Sequence, residues 1–278
     1  MTLQYPLIDV ADVAPLPGGK PGDSEIRQGI GTHEGSTSTA WHLTAKPGQP
    51  GLRHVHHDSD ELIIHLAGTG IAGQGGQTVA TRPGLCRLVP KGVSHYFVPD
   101  TTGGDGVLVG FIPSIGDLDT DFDIQGQVSL SEIGPGGTAG DITDGIAVYL
   151  EDVEPEHMEV GDGWSITDFR LPLAAHNGSA STLFRARFFP DAIHKKHRHD
   201  NCDEIYYVIS GRGLAGAGDD RVEVHGGQFH YIPRGVEHWL YNLSDTVPIE
   251  VVGIYVGAGT VTATGYVYLG EVDHRDVG

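Results

Sequence analysis

The sequence has little sulfur, little positive charge and no long apolar run. Its 2 cysteines, Cys86 and Cys202, cannot form a disulfide framework, and two free thiols point to a reducing, cytoplasmic setting. Only 17 Lys+Arg stand against 37 Asp+Glu, a formal net charge of -20 with His neutral. Such a field repels phosphate backbones and anionic bilayers, so no nucleic-acid and no membrane partner is expected. The strongest apolar run, Val107 to Pro113, is far below the ~20 residues that span a bilayer. Met1 to Pro6 has neither the basic nor the apolar stretch of a secretory signal. Helical periodicity is scarce throughout.

In their place are 42 Gly and 16 His among 278 residues. Glycine at about twice its usual ~7% share means many turns and an all-β chain. Segments such as 183–189, 204–209, 228–232 and 249–256 are short, rich in β-branched and aromatic residues, and bounded by Gly, Pro or Asp. Antiparallel sandwich or barrel strands read this way. The length suits two domains.

The histidines repeat. His54, His56, Glu61, Gly68, Gly84, Pro90, Gly92 and His95 recur 143 residues later as His197, His199, Glu204, Gly211, Gly227, Pro233, Gly235 and His238. No gap interrupts the offset between Gly48 and Pro99, so the chain is a tandem duplication. The charge-rich stretch 116–123 and the glycines of 134–137 place the boundary near residue 125. That gives an N-terminal domain 1–125 and a C-terminal domain 126–278. Pro15, Pro17, Gly18, Gly19, Pro21 and Gly22 mark an extended N-terminal arm, of the kind that duplicated β domains exchange.

Residues i and i+2 of a strand share a face. His54 and His56 therefore project together, as do His197 and His199, and can take adjacent positions on one metal at roughly 2.0–2.2 Å. Glu61 or Glu204 returns on the neighbouring strand after a tight turn. His95 or His238 follows 34 residues after the Glu, beyond a Pro-x-Gly turn. A His pair on one strand is commonly surface decoration, but the same four-residue set twice with the same spacing argues for two metal sites.

These residues resemble a known family. His54, His56, Glu61 and Gly68 look like the first cupin motif, and Gly84, Pro90, Gly92 and His95 look like the second. The other half repeats both through His197, His199, Glu204 and Gly211, then Gly227, Pro233, Gly235, His238 and Asn242. Asp191 and Pro99 depart from the motifs, where Gly and Asn are usual, and neither is a ligand position. The resemblance, to a bicupin, implies two tandem cupin jelly-roll β-barrels (a double-stranded β-helix) with a divalent transition metal in each. Mixed N/O ligation with open positions suits Fe or Mn first, then Ni, Co, Cu and Zn.

Strand parity puts Leu52, Ile63, His65 and Phe97 on the ligand face of the first half, and Lys195, Tyr206, Val208 and Leu240 on that of the second. His65 is a candidate proton shuttle and Lys195 a candidate anion anchor. His33, His42, His57, His157, His176, His194, His225, His230 and His274 show no partner pattern and read as surface or packing residues. Cys202 lies in the second ligand loop, but its counterpart is Ser59, which argues against a catalytic thiol.

The leading expectation is a dioxygenase of a small aromatic or enol-bearing molecule, similar to bicupin quercetinases, with O2 as co-substrate and Glu61 or Glu204 doubling as base. The alternatives are a manganese oxalate decarboxylase or oxidase, a non-redox isomerase, lyase or cyclase, and a binding or storage protein. Against oxalate stand the negative field and the apolar Leu52, Ile63 and Phe97. An inward-pointing Arg87, Arg185, Arg187 or Arg234 would restore it. A homodimer through sheet edges is expected.

Overall fold

A computed structural model describes residues 4–16, 24–156, 168–190, 195–272 and 274–277. Pro17, Gly18, Gly19, Pro21 and Gly22 of the expected arm, motif position Asp191, and His157 and His194 lie outside the described residues, as does the side chain of His274. The chain divides into two compact units, Asp12–Val153 and Met1–Ala11 with Glu154–Gly278.

The chain opens with β1 (Leu7–Asp9). The first barrel follows: β2 (Glu25–Ile30), β3 (Thr39–Ala45), β4 (Gly51–Val55), β5 (Glu61–Ala67), β6 (Gly70–Gln74), β7 (Gln77–Thr81), β8 (Leu85–Val89), β9 (His95–Pro99), β10 (Gly106–Ile112), β11 (Asp123–Val128) and β12 (Ile146–Tyr149). Its two sheets run β12-β8-β5-β10-β3-β2 and β11-β4-β9-β6-β7.

The second barrel contains β13 (Asp168–Leu173), β14 (Thr182–Phe188), β15 (Lys195–His199), β16 (Glu204–Ser210), β17 (Arg212–Ala217), β18 (Asp220–His225), β19 (Gln228–Ile232), β20 (His238–Asn242), β21 (Ile249–Tyr255) and β22 (Tyr266–Glu271). Its sheets run β1-β19-β16-β21-β14-β13 and β18-β17-β20-β15-β22. Every ladder between these strands is antiparallel. The architecture is the expected pair of jelly-roll barrels. Among the described residues the only α-helix is His274–Val277, and no helix is long and apolar enough to cross a membrane.

The division differs from a boundary near residue 125. β11 pairs with β4 and β12 with β8, which ties the residues after 125 to the first barrel, and the units separate after Val153. The first strand of each repeat completes the sheet of the other repeat. Leu7, Ile8 and Asp9 face His230, Phe229 and Gln228, just as Ala147, Val148 and Tyr149 face Arg87, Cys86 and Leu85. Val10 N–H donates to Gly227 O at 3.0 Å, and Leu150 N–H donates to Gly84 O at 2.9 Å. Both pairings protect the backbone of an otherwise open sheet edge.

Inward side chains of facing sheets form the cores. In the first barrel Trp41, Ile63, Val89, Phe97, Leu108, Ile112 and Leu118 pack together, and in the second Phe169, Phe184, Tyr206, Val208, Leu240, Val251 and Tyr255. Each large apolar side chain buried this way contributes about 1.5–3 kcal/mol. Gly68 (φ 75°) and Gly211 (φ 91°) turn the chain after β5 and β16. A Cβ would sit 2.6 Å from Asp105 O at the first and 2.6 Å from Pro248 O at the second, so both the backbone angle and the close approach require glycine.

Five charges outside the second core form one network. Asp168 accepts from Arg170 Nε at 2.7 Å and from Arg185 Nη1, while Glu250 accepts from Arg185 Nε at 2.8 Å and Arg187 Nε at 3.3 Å. Burial opposes ionisation of Asp168, but Arg170 and Arg185 outweigh it and hold the carboxyl below its usual value. Asp168→Ala leaves the buried Arg185 half-compensated. We expect it to cost about 2 kcal/mol, between an exposed pair and a fully buried one. A lowered folded-state pKa stabilises above the unfolded carboxylate value near 4 and is lost as pH falls through the folded value. Denaturant melts of the two proteins should therefore differ constantly from pH 7 to about 4 and converge below; a gap that widens in acid contradicts this account.

Candidate metal centres

The ligands converge because three strands of each barrel present them inward. His54 lies opposite His95 across the β4–β9 pair, and His197 lies opposite His238 across β15–β20. Their ring centroids are 4.1 Å apart in the first site and 4.2 Å in the second. Glu61 and Glu204 enter from β5 and β16 of the facing sheet. His54, His56, Glu61 and His95 form one cluster, and His197, His199, Glu204 and His238 the other, with donor atoms within 4.8 Å of one another. Two ligands on opposite sides of one ion at ~2.2 Å lie ~4.4 Å apart, so little contraction is needed.

Five of the six imidazoles are held in the tautomer that ligation requires; His199 Nδ1 is buried without a hydrogen-bond partner. His54 Nδ1–H donates to Leu52 O at 3.1 Å, His95 Nδ1–H to Val93 O at 3.0 Å and His56 Nδ1–H to Asp121 O. In the second site His197 Nδ1–H donates to Lys195 O at 3.2 Å and His238 Nδ1–H to Val236 O at 2.9 Å. A carbonyl can only accept, so these nitrogens carry the proton and each Nε2 lone pair is left for the centre. His56 Nε2, His95 Nε2 and His199 Nε2 are buried without another hydrogen-bond partner, a costly arrangement unless something binds there. Both sets fit a divalent metal.

Burial opposes protonation of His56, but Glu61 and the Asp121 carbonyl outweigh it and raise its pKa. Burial and the neighbouring His95 push His54 down to about 3, and burial with His238 and His199 lowers His197 well below its ordinary value, so both are neutral. Burial opposes ionisation of Glu61 and Glu204, yet their histidine neighbours hold both well below the usual carboxylate range. His95 Nε2 lies 2.7 Å from Glu61 Oε2, and Glu204 Oε2 lies 3.1 Å from His238 Nε2 and 3.2 Å from His199 Nε2.

Beyond the ligands the sites differ. On the first, Glu61, Ile63 and His65 share a face of β5, and Arg87 of β8 pairs with Ile63. His65 and Arg87 are each 1% exposed, and His65 lies 5.1 Å from the Phe97 ring. Burial and the Arg87 charge hold His65 well below its ordinary value. Burial lowers Arg87 to about 10, Glu61 opposing, so it stays cationic at neutral pH. On the second, Tyr206 takes the Ile63 position and its hydroxyl bonds His230 Nδ1 at 2.8 Å. His230 stands where Arg87 does and is not a surface residue. Val208 and Leu240 belong to the second core. The Lys195 ammonium lies 5.1 Å from the Tyr268 ring centroid, over an exposed side chain.

Sequence reasoning singled out neither Trp41, whose Nε1–H donates to Glu61 Oε1 at 2.9 Å, nor the aromatics that close each cluster. Phe122 lies 4.3 Å from His54, Tyr266 5.1 Å from His197 and Tyr255 4.9 Å from His199. Strand register would have been needed to find them. His33, His57, His176 and His225 are exposed and His42 is buried. Burial and two nearby carboxylates push the Cys202 thiol up to about 12, which makes it inert.

Residues 184–255 match the family of cupin domains. An uncharacterized protein of Methanocaldococcus jannaschii is 36% identical over 55 residues, 20% of this chain and 43% of that protein. One of Streptomyces coelicolor is 36% identical over 50 residues, 18% of this chain and 48% of that protein. The match thus spans about half the length of these curated relatives. Along 97% of this chain the structure is similar to 90% of an oxalate decarboxylase of Lactobacillus farciminis, solved with formate, at a TM-score of 0.72 and 14% identity. It is similar to 80% of an oxalate decarboxylase of Bacillus subtilis at a TM-score of 0.72 and 15% identity. A further structure of the Bacillus subtilis enzyme, from work on its Mn(II) centres, gives 0.69 and 16%. At these identities the likeness is one of fold.

Each cluster closes within its own unit. His54→Ala with His56→Ala should therefore lower the metal content from two equivalents per chain to one, and His197→Ala with His199→Ala should remove the other, as elemental analysis would read; loss of both ions from either double variant contradicts two independent centres. Residues 184–255 match the cupin domains, and the two tandem barrels, each closed round its own His3Glu cluster, share the fold of two-domain cupin structures.

Proposed function

We propose that this bicupin is a metal-dependent enzyme acting on a small carboxylate anion, with oxalate decarboxylase-type chemistry in the first barrel. The observation that carries this reading is Arg87. Its side chain is buried on the ligand face, and Nε and Nη1 have no hydrogen-bond partner. A buried cation with idle donors is costly, and a carboxylate placed between the metal position and Arg87 would satisfy it. Charge-assisted bonds from a guanidinium suit a planar carboxylate. Similarity to oxalate decarboxylases along nearly the whole chain supports the same reading. It takes the place of the dioxygenase expectation: the apolar Leu52, Ile63 and Phe97 that stood against oxalate are offset by Arg87, which shares the face of Ile63.

His54, His56, Glu61 and His95 would hold manganese or iron, which supplies a Lewis acid and one-electron redox centre with positions open to substrate and O2. Arg87 neutralises and orients the anion inside a site screened from the protein's negative surface. His65, kept neutral by burial and by Arg87, contributes a hydrogen bond at Nε2 rather than a charge. Glu61 and Glu204 serve as ligands; carboxyls held well below their usual range are poor proton acceptors.

With manganese-loaded protein, oxalate should be consumed with formate or CO2 released. Arg87→Gln should lower kcat/KM about 10- to 100-fold, the worth of one charge-assisted hydrogen bond of ~1.5–3 kcal/mol, with metal content unchanged. Failure of the fully loaded native protein to turn over oxalate or other small dicarboxylates, or an Arg87→Gln variant of native efficiency, would exclude this function.

A further inference from the structure

The two metal clusters share their ligands but not what holds the glutamate. In the first barrel the indole of Trp41, 6% exposed, donates from Nε1 to Glu61 Oε1 at 2.9 Å, and Glu61 is itself 1% exposed. His95 Nε2 lies 2.7 Å from the other oxygen, Oε2, while His56 Nε2 stands 3.6 Å from Oε1. The oxygen engaged by Trp41 thus faces away from the tight contact, and Oε2 is the one presented to an ion. Trp41 has little freedom to move. It pairs with Gly110 on β10, where a Cβ would overlap the indole, and it packs against Ile112 and Leu118 in the first core.

In the second barrel Phe184 occupies the matching position, opposite Gly253. A phenyl ring has no donor. Glu204 Oε2 meets both His199 and His238, at 3.2 and 3.1 Å, and no hydrogen bond to Oε1 is found among the described residues. We infer that the Trp41 indole fixes Glu61 as a one-oxygen ligand and so makes the two metal centres inequivalent, the second carboxylate being free to close on its ion with both oxygens. A carboxylate that gives one oxygen leaves a coordination position open that a chelating one fills. Trp41 is therefore a positioning residue that keeps the first centre accessible. The inference rests on both clusters binding metal and not on the reaction proposed above.

The test uses Co(II), whose visible ligand-field bands report coordination number. Full-length chains carrying His197→Ala with His199→Ala retain only the first centre, and chains carrying His54→Ala with His56→Ala retain only the second. The two should give distinct spectra. Adding Trp41→Phe to the first-centre chain should shift its spectrum toward that of the second and weaken Co(II) binding about tenfold, as loss of a bond to a ligand does. The same substitution in the second-centre chain should change nothing. If Trp41→Phe does not fold by circular dichroism, Phe184→Trp in the second-centre chain is the reciprocal change and should move that spectrum toward the first. Indistinguishable native spectra, or a first-centre spectrum that ignores Trp41→Phe, would overturn the inference while leaving the carboxylate function standing. Absence of Co(II) uptake by the second-centre chain would overturn the inference alone, and its absence from the first-centre chain would overturn both.

Discussion

The cross-strand facing of two histidines sets the terms for everything around it. His54 opposite His95 and His197 opposite His238 can occur only if β4 and β9, or β15 and β20, keep one register, since a slip by one residue would turn every ligand outward. Three imidazoles and a carboxylate inside an apolar barrel are costly while their inner atoms go unused. The backbone carbonyls of Leu52, Val93, Asp121, Lys195 and Val236 remove part of that cost by accepting the outer Nδ1–H groups. What remains is concentrated at the centre, where metal binding would release it. Metal affinity and barrel stability are thereby linked, because an ion that binds only the folded arrangement stabilises it.

How much of this was legible in the sequence follows from what each feature depends on. The ligands were readable because the 143-residue offset supplied an internal comparison, and i, i+2 parity needs no knowledge of a partner strand. In the sequence Arg87 is one of four arginines that would matter if they pointed inward. Its direction depends on the pairing of β5 with β8, which matches Ile63 to Arg87, and no local pattern encodes that. The inward direction of His230 likewise depends on a pairing, that of β16 with β19, which matches it to Tyr206. The boundary near residue 125 came from composition, whereas the edge strand Ile146–Tyr149 binds β8 through backbone hydrogen bonds that composition does not register. β1, three residues long, is too short to show any periodicity.

The duplication kept the ligands and let their surroundings diverge, and the divergence has a consistent electrostatic sense. Between the first barrel and the second, Arg87 becomes His230, His65 becomes Val208 and Ile63 becomes Tyr206. The buried guanidinium is lost, and burial holds its replacement at about 4, so the second interior carries no added positive charge at neutral pH. The Tyr206 hydroxyl and His230 satisfy one another, where Arg87 and His65 leave donors and acceptors unused. A polar group that is already paired has nothing to offer a ligand. The first barrel, with unspent hydrogen-bonding capacity beside its ligand cluster, is the one in which the proposed anion would be satisfied, while in the second the matching positions satisfy each other. Stability alone favours the second arrangement, and the cost carried in the first barrel is what the proposed carboxylate would offset.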